Sequence, residues 1–299
     1  MIAVNPAVKA GRPCLEGLRA DLHMHSHFSD GSDSAEKLAE KIYGEGISVF
    51  ALTDHDTADG CAAVQKAVKE ICPEVHFIPG IEFSCKTGAG KCHILGYGCD
   101  TGHPAFLDAV EEGRKMRREN LKKRLDTLEH KDGIPFTEAE KEYLYSLPAA
   151  GKPHIAEILV KKGIVSEISQ GIEKYLKGSR TGSDRISAET AVHAIAASGG
   201  IPVWAHPLGG EGEKRPAEGE FERQLEVLLS FGIRGLECYY SRYSAGESSF
   251  LRRQAEHHGL LISGGSDYHG SRKNIEPGCL NCQGQQIGAE RLAILRKLL

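Results

Sequence analysis

No stretch of this 299-residue chain approaches the roughly 18 consecutive apolar residues that a membrane span requires. The opening residues, MIAVNPAVKAGRPC, also lack the charged start and apolar core of a secretory signal. The expected setting is the cytoplasm, with no membrane partner. Positive charge is not in surplus: the formal net charge is −4 and the pI is near 6.4. That balance argues against a broad grip on long nucleic acid, yet leaves room for a local basic pocket. Paired cysteines are lacking too. The nine present are an odd, scattered set, expected to stay reduced in a cytosolic protein. Cys279 and Cys282 form one CxxC with no second pair, so two loop thiols are a better reading than a zinc knuckle. Finally, there is no GxSxG elbow, no Cys–His motif and no Walker A sequence. The sequence thus offers no motif for a Ser or Cys nucleophile, and the missing Walker A disfavours NTP-driven work.

What is present is the composition of an ordinary soluble domain, 40% hydrophobic and 26% charged. Thirty-five glycines, many at expected strand ends, suit tight βα loops. Short β-rich runs are expected at residues 20–24, 48–52, 75–78, 92–97, 201–204, 235–239 and 260–263. Amphipathic helices fall between or after them, at 34–43, 60–70, 188–197, 221–229 and 246–257. Asp33 is expected to cap the first of these, with Glu36 three residues on, and Gly44 and Gly46 to end it. Alternation of β and α points to a parallel sheet with helices packed outside it. Seven strands in this order suit closure into an α/β barrel, a distorted (β/α)7 arrangement. The pattern breaks between 101 and 185, where Lys, Arg and Glu dominate. Helical periodicity runs through 104–129, 137–145, 152–162 and 166–176. The expected organisation is a barrel from 1–100 and 186–299, interrupted by a helical insertion over 101–185.

The chemistry gathers at strand ends. In DLHMHSHFSDG, His23 and His25 are two apart, so a strand points both to one face. Asp30 follows on a turn. His55 lies in TDHDT after the second run, Glu82 in PGIEFS after the third, His93 in CHILGYG within the fourth. His206 lies in VWAHPLG, and Asp267 and His269 in GSDYHG. In parallel α/β folds this edge is where sites are built. Each residue alone reads as a loop or capping group. Together, imidazoles and carboxylates at six strand ends suit Zn, Mn or Fe. Asp54 and Asp56, beside His55, are expected to orient loops or histidines. His27 is expected to be an accessory or surface residue.

These motifs resemble those of the PHP (polymerase and histidinol phosphatase) family, from Asp21 to Gly270 but not across the insertion. The resemblance implies a distorted barrel holding two or three divalent ions. Position by position, His23, His25, Glu82 and Asp267 would hold one ion. Glu82, His93 and His206 would hold a second, and Asp30, His55 and His269 a third. Glu82, Asp267 and His206 would be the catalytic core. Clustered ions suit phosphate-ester hydrolysis, because they lower the pKa of a bridging water and neutralise phosphoryl charge. MRREN (116–120) and KPHIAEILVKKG (152–163) resemble the bacterial members that act on nucleotides. That second resemblance implies a lid-like insertion and a substrate such as adenosine 3′,5′-bisphosphate or AMP. Short RNA trimmed from its 5′ end and histidinol phosphate are the alternatives, and a non-catalytic metal-binding module is the remote one. Arg117, His154 and Arg242 are the candidate substrate contacts. Their plainer readings are a solvated helix face, a helix cap and a loop residue.

Overall fold

A computed structural model describes residues 14–177, 185–211 and 214–299. The parts of the expected barrel and insertion at 1–13, 178–184 and 212–213 lie outside the described residues. The chain begins with β1 (Ala20–Met24), α1 (Ala35–Gly44), β2 (Val49–Leu52), α2 (Gly60–Ile71), β3 (His76–Lys86) and β4 (Lys91–Tyr97). Helices α3 (Pro104–His130), α4 (Glu138–Ser146), α5 (Lys152–Lys161) and α6 (Ile168–Gly171) follow, the last running into a π-helical turn at Ile172–Leu176. The two-residue β5 (Ile186–Ser187) then leads into α7 (Ala188–Ala197), β6 (Ile201–Ala205), α8 (Glu220–Phe231), β7 (Gly235–Tyr240), α9 (Ala245–His257) and β8 (Leu261–Gly265). A short α10 (Leu295–Leu298) ends the chain. No helix among the described residues is long and apolar enough to cross a membrane.

The strands form one sheet in the order β1-β2-β3-β4-β6-β7-β8, with β5 beside β3. It curls into a nearly closed barrel. Beyond β8, the Asp267 N–H donates to the His23 carbonyl at 2.8 Å and the His25 N–H to the Tyr268 carbonyl at 2.9 Å. Gly265 makes this approach possible, since a Cβ there would collide with His23. The α/β barrel expected from the alternation is therefore the fold.

Two expectations need correction. The third strand does not stop at residue 78. Pro79 and Gly80 mark a change of partner rather than an end: β3 pairs with β2 as far as Leu52–Pro79, then with β4 from Gly80–Tyr97 onward. Gly80 is needed at this crossing, because a Cβ would lie 2.7 Å from the Gly96 carbonyl oxygen and 2.8 Å from that of Leu52. Glu82 is consequently inside β3, not after it. Nor is the sheet wholly parallel, because β4 runs antiparallel to both β3 and β6. His93 sits near the start of β4, and reversal of that strand brings it to the edge where the parallel strands end. A smaller correction concerns α1, whose cap is Ser34, accepting from the Lys37 N–H at 3.3 Å. Asp33 instead accepts from the Tyr268 hydroxyl at 2.6 Å and pairs with Lys37.

Packing divides into three clusters. Leu22, Val49, Ile81, Phe83, Ile94, Val203 and Leu236 belong to the main core, which α7, α8 and α9 help cover. Leu38, Ile42, Phe50, Leu52 and Val64 join α1 and α2 to β2. Leu125, Leu144, Ile155, Leu159 and Leu176 form a separate core among the inserted helices. Helix α3 belongs to both: Phe106 and Val110 pack in the main core, Leu121 and Leu128 in the inserted one. Cys279 and Cys282 are free thiols on a loop, the first partly buried and the second exposed.

Candidate metal centre

Glu82 is the hub of the barrel edge. It is buried, and its two oxygens face different imidazoles. Oε1 lies 2.7 Å from His93 Nδ1 and 3.1 Å from His206 Nε2. Oε2 lies 3.0 Å from His55 Nδ1 and 3.2 Å from both His23 Nε2 and His25 Nε2. The hub exists because β3 continues through Pro79–Gly80 and carries Glu82 between β2 and β4. Asp267 Oδ1 stands 3.3 Å from His25 Nε2 and 3.6 Å from His23 Nε2. Asp30 Oδ1 is 3.2 Å from His269 Nε2, and its Oδ2 is 3.9 Å from His55 Nε2. All nine residues expected as ligands are thus brought together.

Three donor groups have atoms mutually within 4.8 Å: His25, Asp30, His55 and His269; His23, His25 and Glu82; and His55, Glu82 and His93. His55 shares the third of these with Glu82 and His93, a place the family pattern assigns to His206. His206 approaches the same Glu82 oxygen as His93, from the end of β6 on the far side of β4.

The donor set fits cations. His23 Nε2, His25 Nε2, Asp30 Oδ1, His55 Nδ1 and Glu82 Oε2 are buried and have no hydrogen-bond partner. Such orphans cost about 1–3 kcal/mol each unless something satisfies them. The charge pattern agrees. Burial alone would raise the Glu82 pKa, but His55, His23 and His93 outweigh it and hold the carboxyl well below its usual range. Asp30 and Asp267 are likewise held well below theirs, against burial, Asp30 by His55 and His269 and Asp267 by Lys273 and His269. Burial depresses His55, His93 and His269, leaving neutral imidazoles suited to ligation. Burial opposes protonation of His25, yet contact with Asp267 and Glu82 raises it to about 9. The carboxylates therefore demand positive charge at the centre of the cluster, and a metal ion supplies it without protonating ligands.

Residues behind the donors fix their aim. Glu237 of β7, fully buried, lies 2.9 Å from His23 Nδ1 and accepts from the His206 N–H at 2.7 Å. Sequence reasoning missed it; the only signal was one carboxylate within the apolar run GLECYY. Asp54 accepts from Ser26 Oγ at 2.6 Å and Ser29 Oγ at 2.5 Å, and Ser29 Oγ lies 3.4 Å from His25 Nδ1. His269 Nδ1 donates to the Asp267 carbonyl at 2.8 Å, which leaves Nε2 to face Asp30. Asp267 Oδ2 accepts from Tyr240 Oη at 2.9 Å and Lys273 Nζ at 2.6 Å. Among the described residues, the three non-glycines with positive φ are Asp56 (49°), His206 (29°) and Asp267 (60°), and all three belong to this edge. Backbone strain of this kind gathers at functional sites.

The substrate candidates are placed differently from one another. Arg117 is mostly buried; its Nε pairs with Asp56 and its Nη2 donates to Ser84 Oγ at 3.0 Å. Asp56 also accepts from the Ser84 N–H at 2.7 Å, so it ties β3 to α3. His154 is buried at the start of α5, its Nδ1 accepting from the Gly151 N–H at 3.1 Å. Arg242 is not brought to the donors. It pairs with Glu211, whose N–H donates to Tyr240 Oη at 3.1 Å, and so reaches Asp267 only through two intermediaries. His27 is exposed and bonded to the Asp33 carbonyl.

The PHP domain model matches residues 21–182 of this sequence. The chain belongs to the PHP domain family. Two curated relatives are of similar length to this PHP chain. A 5′-3′ exoribonuclease of Haemophilus influenzae is 32% identical over 253 residues, covering 83% of this chain and 89% of the relative. A 3′,5′-nucleoside bisphosphate phosphatase of Chromobacterium violaceum is 29% identical over 253 residues, covering 83% and 86%. Among solved structures, an amidohydrolase of C. violaceum with bound sulfate and no metal superposes with a TM-score of 0.80 at 26% identity, covering 94% of this chain and 95% of that one.

Proposed function

We propose that this PHP protein is a metal-dependent phosphoesterase that hydrolyses a phosphate monoester of a small nucleotide, of the adenosine 3′,5′-bisphosphate or AMP kind. The observation that carries the reading is the nine-residue donor set around Glu82, with five buried donor atoms that no protein group satisfies. Two or three divalent ions, Mn, Fe or Zn, suit this mixture of imidazole and carboxylate. His23, His25, Glu82 and Asp267 would hold one, Glu82 and His93 with His206 or His55 a second, and Asp30, His55 and His269 a third. When bound, the ions supply Lewis acidity, which neutralises phosphoryl charge and makes water nucleophilic near neutral pH.

The chain's own groups do the rest. Glu237 fixes the ring of His23, and Tyr240 and Lys273 hold the outer oxygen of Asp267. Arg117 and His154 stand on the inserted helices facing the barrel edge, and we read 101–185 as a cover that keeps water and substrate in register. Relatives named for bisphosphate and for RNA substrates leave a second reading: removal of 5′ nucleotides from short RNA. Lys115, Arg118 and Lys122, exposed along one face of α3, favour it. A phosphate-release panel tests both. Metal-loaded protein is expected to act on adenosine 3′,5′-bisphosphate, AMP and p-nitrophenyl phosphate, with the nucleotides preferred. No release from any monoester would overturn the proposal, and release of nucleotides from 5′-phosphorylated RNA alone would replace it with the second reading.

A further inference from the structure

At the edge of the barrel, next to the donor cluster, stands a cation with no counterpart. Arg185 immediately precedes β5, which pairs in parallel with β3 at Cys85–Ile186 and Lys86–Ser187. Continued by one residue, that register sets Arg185 beside Ser84. Ser84 is in turn the partner of His93 on β4. Side chains along a strand alternate between its two faces. Ile186 is fully buried in the main core, as are its neighbours Cys85 and Cys92. Arg185 therefore belongs to the other face, which carries Ser84, His93 and, two residues before Ser84, the hub Glu82. Arg185, Ser84 and His93 form one row across β5, β3 and β4 on the side of the metal donors.

The guanidinium is left unsatisfied. Its Nη1 is buried and has no hydrogen-bond partner, and no carboxylate among the described residues pairs with it. Arg117 makes the contrast plain. Its guanidinium also reaches this row, with Nη2 donating to Ser84 Oγ at 3.0 Å, but Asp56 neutralises it. The charge of Arg185 is close enough to be felt at His93: burial lowers the His93 pKa, Glu82 opposes this, and Arg185 adds to the lowering. A bare guanidinium beside divalent cations is repelled by them unless an anion lies between. Asp30, Glu82 and Asp267 carry too little negative charge to balance several such ions and Arg185 together. A phosphoryl group resting on the ions is the anion that the arrangement lacks, and it has oxygens to spare for a guanidinium.

We propose that Arg185 grips the phosphoryl group undergoing hydrolysis, its Nη1 donating to a non-bridging oxygen of that group from the β5 side of the metal centre. The inference rests on the phosphoesterase reading and adds to it a residue that touches the substrate at the reacting group. A fixed guanidinium there offsets the charge that the phosphoryl oxygens carry in the transition state. Every phosphate monoester presents the same group, so the contact serves all of them alike. In this it differs from Arg117 and His154, which we read as serving the nucleotide. Arg185 also holds no structural partner that its replacement would strand.

The test compares Arg185→Gln, Arg185→Lys and wild type, all metal-loaded. Turnover is measured on adenosine 3′,5′-bisphosphate and p-nitrophenyl phosphate, and binding of inorganic phosphate by calorimetry. Arg185→Gln should lower kcat/KM by about 10–100-fold on both substrates, with similar factors, and weaken inorganic phosphate about tenfold. That is the range of one charge-assisted contact to phosphate. Metal content and Tm should match wild type, and Arg185→Lys should recover part of the loss. Unchanged affinity for inorganic phosphate in Arg185→Gln would overturn the proposal. A loss confined to the bisphosphate would place Arg185 on another part of the substrate and overturn it too. Loss of metal from the variant would make Arg185 a support of His93 instead. If wild type releases phosphate from no monoester, the phosphoesterase reading falls, and the calorimetric comparison still decides whether Arg185 holds the anion.

Discussion

The barrel edge and the inserted helices that face it are built on different principles. At the edge, the donors are held from behind by strand or loop partners. Glu237 backs His23, the Asp267 carbonyl backs His269, and Tyr240 with Lys273 backs Asp267. Glu237 and Tyr240 are fully buried and Lys273 is partly so, and the geometry is set before any ligand arrives. The inserted helices have a core of their own, joined to the barrel mainly through α3. Their polar contacts with the barrel include, among the described residues, Arg114 to Thr57 and Asp59, Arg117 to Asp56 and Ser84, and Arg272 to His154 and Glu157. Changes at the edge should therefore destroy the metal centre, while changes across from it should alter grip and leave the metals in place.

The largest effect is expected from Glu82→Gln. It removes one charge from the hub that meets five imidazoles, and turnover should fall by at least about 100-fold while the far-UV spectrum stays native. Near-native activity in this variant would take Glu82 out of the centre. Glu237→Gln comes next. It touches no expected ion but loosens His23 and the His206 backbone, and should weaken metal affinity about 10–100-fold, read by titration with a competing chelator. If its affinity matches wild type, the edge is not held from behind in the way described.

Arg117→Ala sharpens the contrast from the other side. It leaves Asp56 buried without its cation, which should cost roughly 3 kcal/mol of stability in a denaturant melt. Metal content should not change, and nucleotide turnover should suffer more than p-nitrophenyl phosphate turnover. Wild-type kinetics on both substrates would make Arg117 a structural tie alone.

The smallest effect is on stability and concerns pH. The His154 pKa lies near 4 in the folded protein, below the ordinary value of 6.5, because of burial and Arg272. Between those values the unfolded chain binds a proton that the folded chain does not. Stability therefore falls as pH drops through that window and levels off below about 4. His154→Gln should lose less stability than wild type between pH 6.5 and 4, measured as the difference in Tm. Parallel curves for the two proteins would contradict the assignment of a buried neutral ring.

The same contrast governs what could be read beforehand. The histidines of the edge were legible because a strand's two-residue period turns His23 and His25 to one face, and because short polar motifs interrupt apolar runs. The position of Glu82 was not. Pro-Gly usually ends a strand, and here it marks the point where β3 exchanges β2 for β4. The reversed direction of β4 was hidden for the same reason: with β3 ended early, the glycine-rich turn between Lys86 and Lys91 did not read as a hairpin. Glu237 left little trace, since its role depends on β7 lying next to β6 and close to β1. The inserted helices were visible from their periodicity, but helical period says nothing about which polar residues face a cleft. His154 stood out only through family likeness, and Arg272 not at all, because it meets α5 across more than a hundred residues of chain.

The account turns on a centre of several ions built by these nine residues. Elemental analysis of protein purified without chelator and loaded to saturation tests this most directly. Two or three divalent ions per chain are predicted, and one ion or none would contradict it.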